Sequence, residues 1–292
     1  MFARIASRAA AAGTLALATA SFLTLAASTA KRLEESRALA PGGSLIVDSD
    51  AGSVTIHGGQ VSGAKIVVTS KTGDIGTRYD VTFEESAGSL KILCHKKESW
   101  SPSNWFRSTS MHFDVTVPAD TVIDVRTGGG SIDISGLMRD ARVRTSGGSI
   151  AAADLGGTLV ASTSGGSLSF ENITGDIQGQ TSGGSIEVEE AHGQVDVQTS
   201  GGSVSVSFAP GNAKGGEIES SGGSIEVEVD PAANLTIDAS TSGGVVQSDL
   251  PIARSGNSRT RISGNLGSGG AALRVHTSGG SVEISGRAAK SL

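Results

Sequence analysis

Residues 181–203 read TSGGSIEVEEAHGQVDVQTSGGS, and this stretch holds one complete unit of a repeated motif. Two runs within it, residues 185–189 and 194–198, alternate apolar and polar side chains, which is typical of short β-strands with one buried face. Residues 191–193 break the first run, and a Thr-Ser-Gly-Gly motif ends the second. Each unit is therefore predicted to form two short strands and two turns.

Copies of this unit follow one another along most of the chain. Aligned on the residue after each Gly-Gly pair, they are spaced by 18, 18, 18, 18, 21, 21 and 36 residues. The aligned residues are Ser131, Ser149, Ser167, Ser185, Ser203, Ser224, Val245 and Ser281. We interpret the last interval as two further periods of 18 residues, and the two intervals of 21 residues as coils with longer loops near Pro210 and Pro231.

Stacking of successive units is what would bury their small aliphatic residues. One unit offers only Ile186, Val188, Val195 and Val197, which alternation places on one side. Coils stacked about 4.8 Å apart bring equivalent residues into continuous inward columns. The first column is predicted to contain Ile132, Ile150, Leu168, Ile186, Val204 and Ile225. The paired glycines are expected at a corner, where positive φ angles and the close approach of neighbouring coils exclude a Cβ atom.

These features predict an all-β fold, namely a right-handed β-solenoid, or β-helix, with about two short strands in each 18-residue coil. An antiparallel array of hairpins is the alternative, since Gly-rich turns serve it equally well. The solenoid is favoured because every copy has the same strand order and its apolar positions match residue for residue. Hydroxyl groups beside the glycines, such as those of Thr145 and Thr163, are expected to bond to turn amides.

Composition limits the classes of function. Gly accounts for 42 of 292 residues and aromatic residues for 3%, so the large aromatic core usual in enzymes is not expected. The apolar fraction of 37% and the regular alternation argue against disorder. A net charge of −6 disfavours nucleic acid and anionic lipid as partners. Cys94 is the single cysteine, so no internal disulfide is predicted.

The first 30 residues have the features of an export signal. They carry Arg4 and Arg8, no acidic residue, an uncharged stretch rich in Ala and Leu, and small residues at Ser28 and Ala30. We predict a signal peptide over residues 1–30, cleaved after about Ala30, and a location in the periplasm, on the cell surface or outside the cell. An uncleaved membrane anchor formed by residues 9–30 is the alternative, because this run is long enough to span a bilayer.

The remaining chain divides by the regularity of its pattern. Residues around 79–85, 89–95 and 111–117 are expected to form longer strands of a less regular β layer that covers the N-terminal edge of the solenoid. The predicted segments are a linker over 31–41, an irregular β N-terminal part over 42–126, the repetitive solenoid over 127–286 and a tail over 287–292.

Three stretches resemble a known family. They are GSVTI at residues 52–56, FDVTVP at residues 113–118 and TVIDV at residues 121–125, which the Thr-Ser-Gly-Gly-Ser copies then follow. Together they resemble the bacterial putative-adhesin family, a domain of unknown function made of β-strand repeats and related to head domains called GIN. The resemblance covers roughly residues 42–286. It implies a right-handed β-helical fold and an envelope location, and it brings no catalytic motif.

Motifs that carry chemistry are not found, and we predict no cofactor, no metal site and no enzymatic activity. The Gly-rich residues 128–131 lack the Lys of a phosphate-binding loop. Cys94 and His95 are adjacent on a predicted strand and point to opposite faces, so they cannot join His112 in one metal site.

One outward face is predicted to be acidic and to lack Lys and Arg. Its acidic residues are Asp133, Glu171, Glu187, Glu189, Glu226, Glu228 and Glu283. The coil with Ser205 lies between Glu187 and Glu226, which should therefore be about 10 Å apart. This distance favours a solvated face that repels other edges, and weak bridging by divalent cations to a polyanionic surface is the alternative.

One segment between two predicted strands concentrates the aromatic residues. It contains Trp100, Trp105 and Phe106, followed by Arg107. Exposed aromatic loops commonly contact sugars or proteins, so these four residues are the predicted binding site. A hydrophobic lid that folds back on the first coils is the alternative.

Three functions remain open. The first is an exported, non-enzymatic, adhesin-like scaffold or binding module for a protein or a glycan. The second is a structural or regulatory periplasmic protein without an adhesive role. The third is a carbohydrate-active enzyme built on a β-helix, which no repeated acidic and basic cluster supports.

Overall fold

A computed structural model of the chain describes residues 31–97, 111–254 and 258–287. In these ranges the chain is built from β-strands joined by turns, and none of its elements is a helix long and apolar enough to cross a bilayer. The strands are β1 Arg32–Arg37, β2 Ser44–Ser49, β3 Ser53–Gly59, β4 Ala64–Ser70, β5 Tyr79–Ser86, β6 Ser89–Lys96, β7 Met111–Pro118, β8 Val122–Thr127, β9 Ile132–Leu137, β10 Ala141–Thr145, β11 Ile150–Leu155, β12 Leu159–Thr163, β13 Leu168–Ile173, β14 Ile177–Thr181, β15 Ile186–Ala191, β16 Val195–Thr199, β17 Val204–Phe208, β18 Gly216–Ser220, β19 Ile225–Val229, β20 Leu235–Thr241, β21 Val246–Ser248, β22 Ala253–Arg254, β23 Arg261–Leu266, β24 Ala271–Thr277 and β25 Val282–Gly286.

The strands form two long sheets that face each other across a thin core. Sheet A has the order β22-β23-β20-β24-β18-β16-β14-β12-β10-β8-β2-β6-β5, and sheet B has the order β1-β4-β7-β3-β9-β11-β13-β15-β17-β19-β25-β21. Within the described residues, ten coils each contribute one strand to either sheet, and neighbouring coils pair in parallel. The solenoid prediction is confirmed, with about two short strands in each coil.

The predicted inward column of aliphatic side chains exists and is buried. Register pairs Ile132 with Ile150, Ile150 with Leu168, and so on through Ile186, Val204 and Ile225. Each of these side chains is at most 1% exposed. The stack thus buries apolar area that a single coil would leave in water.

The order of the coils differs from the sequence at both ends of the stack. The coil of β24 and β25 lies between the coil of β18 and β19 and the coil of β20 and β21. Reading the 36-residue interval as two successive coils is therefore wrong. At the other end, the coil of β2 and β3 lies between those of β6 and β7 and of β8 and β9. At the C-terminal end, the physical reason is that coils with the same corner and apolar positions can pair with one another in either order.

Antiparallel strands cover the two ends of the stack. At the N-terminal end, β4 and β1 extend sheet B and β5 closes sheet A. At the C-terminal end, β23 and β22 extend sheet A. Strands β3 to β7 are longer than most strands of the repetitive coils, and residues 31–41, predicted as a linker, include a strand. Six of them form β1, because its backbone pairs with β4 and its alternation places Leu33 against the core.

The two longer coils carry loops where the sequence places them. Residues 209–215 separate β17 from β18, and residues 230–234 separate β19 from β20. The carboxylate of Asp230 accepts hydrogen bonds from the backbone N–H groups of Gly211 and Ala232, both at 2.8 Å. These bonds lower the pKa of Asp230 and join the two loops.

Close approach, rather than positive φ, explains the second glycine of each corner. A Cβ atom on Gly184 would lie 2.1 Å from the carbonyl oxygen of Gly166, and one on Gly166 would lie 2.1 Å from that of Gly148. A Cβ atom on the first glycine, Gly183, would meet nothing nearer than 3.6 Å. Of the second glycines in these corners, Gly130 has a positive φ, whereas the later copies do not.

We therefore expect alanine to reduce stability strongly at one glycine and to leave it almost unchanged at the adjacent one. Gly184→Ala should cost about 3 kcal/mol, because the methyl group forces two coils apart. Gly183→Ala, the matched control, should change stability by less than about 0.5 kcal/mol. Thermal unfolding followed by circular dichroism measures both. Equal melting temperatures for the two variants would contradict the close-packed corner.

A ladder of buried hydroxyl groups links the coils at the same corner. Eight hydroxyl groups at the ends of sheet A strands donate to a glycine carbonyl of the neighbouring coil, at 2.6–2.9 Å. Most also accept a bond from the backbone N–H of the second glycine in their own corner. The ladder runs through Thr127, Thr145, Thr163, Thr181, Thr199, Ser220, Thr277 and Thr241.

Ser220 allows a direct test of the ladder, because it stands where the other coils have Thr. Its hydroxyl donates to Gly202 at 2.8 Å and accepts from Gly223 at 2.9 Å. Ser220→Ala should cost about 1–3 kcal/mol, since it leaves a buried carbonyl and a buried N–H without partners. Ser220→Thr keeps both bonds and should be at least as stable as the parent. Urea denaturation measures the difference, and equal stability of the two variants would refute the role of the hydroxyl.

Candidate functional site

The predicted aromatic site lies outside the described residues. Trp100, Trp105, Phe106 and Arg107 belong to a segment that joins β6, in sheet A, to β7, in sheet B. These two strands form the outermost complete coil at the N-terminal end.

The acidic face predicted from the sequence is the outer surface of sheet B. Glu187 and Glu226 are separated by Ser205, as expected from the repeat. Glu226, however, lies directly beside Glu283, because the coil of β25 is inserted next to β19. Within the described ranges, no three His, Cys, Asp or Glu side chains are close enough to hold one metal ion.

The outer surface of sheet A carries charges in a regular order that the motifs did not indicate. Over the seven strands from β8 to β24 it presents two outward columns. The first column contains Asp124, Arg142, Val160, Gln178, Asp196, Glu217 and Arg274, and the second contains Arg126, Arg144, Ser162, Gln180, Gln198, Glu219 and His276. Beyond these strands the columns continue through Ile46 and Asp48 of β2 and through Asp238 and Ser240 of β20. We call this surface the sheet A face. Arg142 and Arg144 make β10 basic, Glu217 and Glu219 make β18 acidic, and the outward columns of the three strands between them carry one charge, that of Asp196.

Several charges of the sheet A face have no partner within the chain. Arg126 donates to Asp124 at 3.2 Å. In contrast, the side chains of Arg142, Arg144, Glu217 and Glu219 make no ion pair or hydrogen bond with any described residue. The basic and acidic ends are four strands apart, about 19 Å, which is too far for pairing within one molecule.

The centre of this face is a shallow, open depression. Its floor includes Val160, Ser162 and Gln178, with Arg144 at one rim and Glu219 at the other. The outward positions of the second strand in each period contain this signal, so an alignment of that strand would have revealed it from the sequence.

Cys94 is a structural thiol. Its side chain is 1% exposed, and burial raises its pKa to about 11. The next residue, His95, is exposed and lies 3.5 Å from the carboxylate of Asp50. The two side chains therefore occupy opposite faces of β6 and cannot bind one ion together.

Two long sheets, a narrow aliphatic core and polar outer faces define a parallel β-solenoid scaffold. The chain belongs to the Toastrack family, a domain of unknown function also designated DUF4097, whose profile matches residues 44–285. This membership confirms the family resemblance seen in the sequence. Curated protein sequences include no match to this chain.

Three solved structures similar to the chain are each 13% identical to it. A putative cell adhesion protein from Clostridium sporogenes matches over 88% of this chain and 100% of its own, with a TM-score of 0.27. A putative adhesin from Bacteroides fragilis matches over 88% and 97%, with a TM-score of 0.45. A putative lipid binding protein from Parabacteroides distasonis matches over 88% and 96%, with a TM-score of 0.43. At these TM-scores the likenesses add nothing to the fold that strand pairing already defines.

Proposed function

We propose that the protein is an exported, non-enzymatic scaffold that binds a protein or a glycan. The observation that supports this proposal is that the side chains of each coil have two separate roles. Inward side chains form the core, and outward side chains form two long, flat, polar faces. Large flat surfaces suit the binding of extended partners, whereas small-molecule chemistry usually requires a concave, largely apolar pocket.

We further propose that the segment with Trp100, Trp105, Phe106 and Arg107 supplies the selective contacts. Binding energy in interfaces concentrates in aromatic and Arg side chains. The described aromatic residues are unavailable for this role, because Tyr79, Phe113, Phe170 and Phe208 are buried and Phe83 packs against the core. The exposed large apolar residues of the described ranges are Val61, Met138 and Val245, which are scattered.

The double variant Trp100→Ala and Trp105→Ala tests this site. We expect it to lose binding on a glycan array, or capture of a protein partner, with an unchanged melting temperature. Met138→Ala is the control, because it removes an apolar side chain that is 67% exposed elsewhere. If the rings instead form a lid, the double variant should lose about 3 kcal/mol or more per buried ring. Intact binding by the double variant would exclude this site, and a parent that binds no ligand would favour a structural or regulatory role.

The proposal of export rests on the sequence of residues 1–30 and on the position of strand β1. Strand β1 begins at Arg32, so cleavage after Ala30 would leave the strand that covers sheet B complete. We expect mass spectrometry of the protein recovered from its cells to place the N-terminus near Lys31. Recovery of intact residues 1–30 in the membrane fraction would favour the uncleaved anchor.

A further inference from the structure

The charges of the sheet A face change sign about a single strand, β14. In the first column, Arg142 and Glu217 each lie two strands from Gln178, on opposite sides of it. Asp124 and Arg274 each lie three strands from Gln178, again on opposite sides. Each pair has opposite charges.

The second column repeats this pattern. Arg144 and Glu219 each lie two strands from Gln180, on opposite sides of it. Arg126 and His276 each lie three strands from Gln180. Within the chain, Arg126 bonds to Asp124 and His276 bonds to Ser240. The residues two strands from β14 therefore have opposite charges in both columns, as do Asp124 and Arg274 three strands away, whereas Arg126 and His276 do not.

We propose that the sheet A face is the contact surface of a homodimer whose two-fold axis runs along β14. Such an axis reverses the order of the coils in the second copy and keeps the position along each strand. Arg142 of one copy then faces Glu217 of the other, Arg144 faces Glu219, and Asp124 faces Arg274. The two-fold symmetry makes each of these pairs twice.

The central strands also fit a second copy. Gln178 and Gln180 lie on the axis and meet their own counterparts, and amide groups can donate and accept hydrogen bonds with each other. One strand away, the small Ser162 faces the longer Gln198, and Val160 faces Asp196. The shallow depression beside Arg144 thus receives longer side chains from the partner.

A second copy explains the face better than a foreign polyion does. A polyanion would be attracted to the basic end and repelled by Glu217 and Glu219 at the other end. A polycation would be attracted to the acidic end and repelled by the arginines. Sheet B cannot self-associate in the same way, because the outward residues of β9 to β25 in that sheet include seven acids and no Lys or Arg.

The area of the face predicts a weak and reversible dimer. Seven neighbouring strands of about five residues cover roughly 550 Å² on each copy, or roughly 1,100 Å² in total, near the lower limit of specific interfaces. Its exposed ion pairs are sensitive to salt, since the Debye length falls as ionic strength rises. The dimer should therefore form at low salt and dissociate at high salt.

Sedimentation velocity of the protein purified from its expressing cells tests the proposal. We expect a dimer at about 50 mM salt and a monomer at about 500 mM salt. Reversal of the basic end, with Arg142→Glu and Arg144→Glu, should weaken dimerisation at least tenfold. Reversal of the acidic end, with Glu217→Arg and Glu219→Arg, should do the same. Three of these side chains are exposed and Glu219 is half-buried, so circular dichroism should show both variants folded.

The decisive experiment mixes the two charge-reversed variants. One variant is then acidic at both ends and the other basic at both ends, so the mixture should form a heterodimer although neither protein dimerises alone. A parent protein that stays monomeric at low salt overturns the proposal. A dimer that persists in both variants, or a mixture that stays monomeric, also overturns it. Loss of ligand binding by the reversed variants without any dimer in the parent would assign the face to a foreign partner instead.

Discussion

The structure depends on the contact between neighbouring coils at the Gly-Gly corner. There, the second glycine lies directly over the carbonyl group of the coil before it, and a buried hydroxyl bonds to that same carbonyl. Any Cβ atom at this glycine would separate the coils, and any apolar residue in place of the hydroxyl would leave buried backbone groups unpaired. The corner therefore fixes both the spacing and the register of the stack, and the aliphatic columns follow from that register.

This corner also explains why the coil order is independent of the chain order at the C-terminal end. The hydroxyl of Thr277 bonds to Gly223, and that of Thr241 bonds to Gly280, so the ladder continues through the inserted coil without a break. Because these corners offer the same carbonyl and an equivalent hydroxyl, the terminal coils can exchange places and keep these bonds. On the N-terminal side the ladder ends at Thr127, because the hydroxyl of Ser49 bonds to Ala51 in its own turn and Cys94 pairs with Ser49 in the register of β6. Antiparallel partners cover β20 and β7, whereas β21 is the outer strand of sheet B.

Much of the fold could be predicted from the sequence, because alternation and an 18-residue period report directly on which side chains point inward. The coil order at the two ends of the stack could not, since similar motifs carry no information on which copies are neighbours. Strand β1 was missed because a short charged segment has little apolar signal, and it is a strand only through its pairing with β4. The role of Gly179 could not be predicted from the sequence either. Its lack of a side chain makes room for Phe170, because a Cβ atom on Gly179 would lie 3.1 Å from the Cε2 atom of Phe170.

The candidate sites differ in what the sequence can say about them. The acids of sheet B and the aromatic segment are visible as composition, whereas the sheet A face has meaning only as an arrangement. Arg142 and Glu217 are 75 residues apart in the chain, and each is an ordinary exposed residue when read alone. Alignment of the repeats places them at equal distances on either side of Gln178, and this symmetry is what the proposed contact with a second copy rests on. In a solenoid whose inward positions are fixed by stacking, the outward positions are where the sequence is free to encode partners.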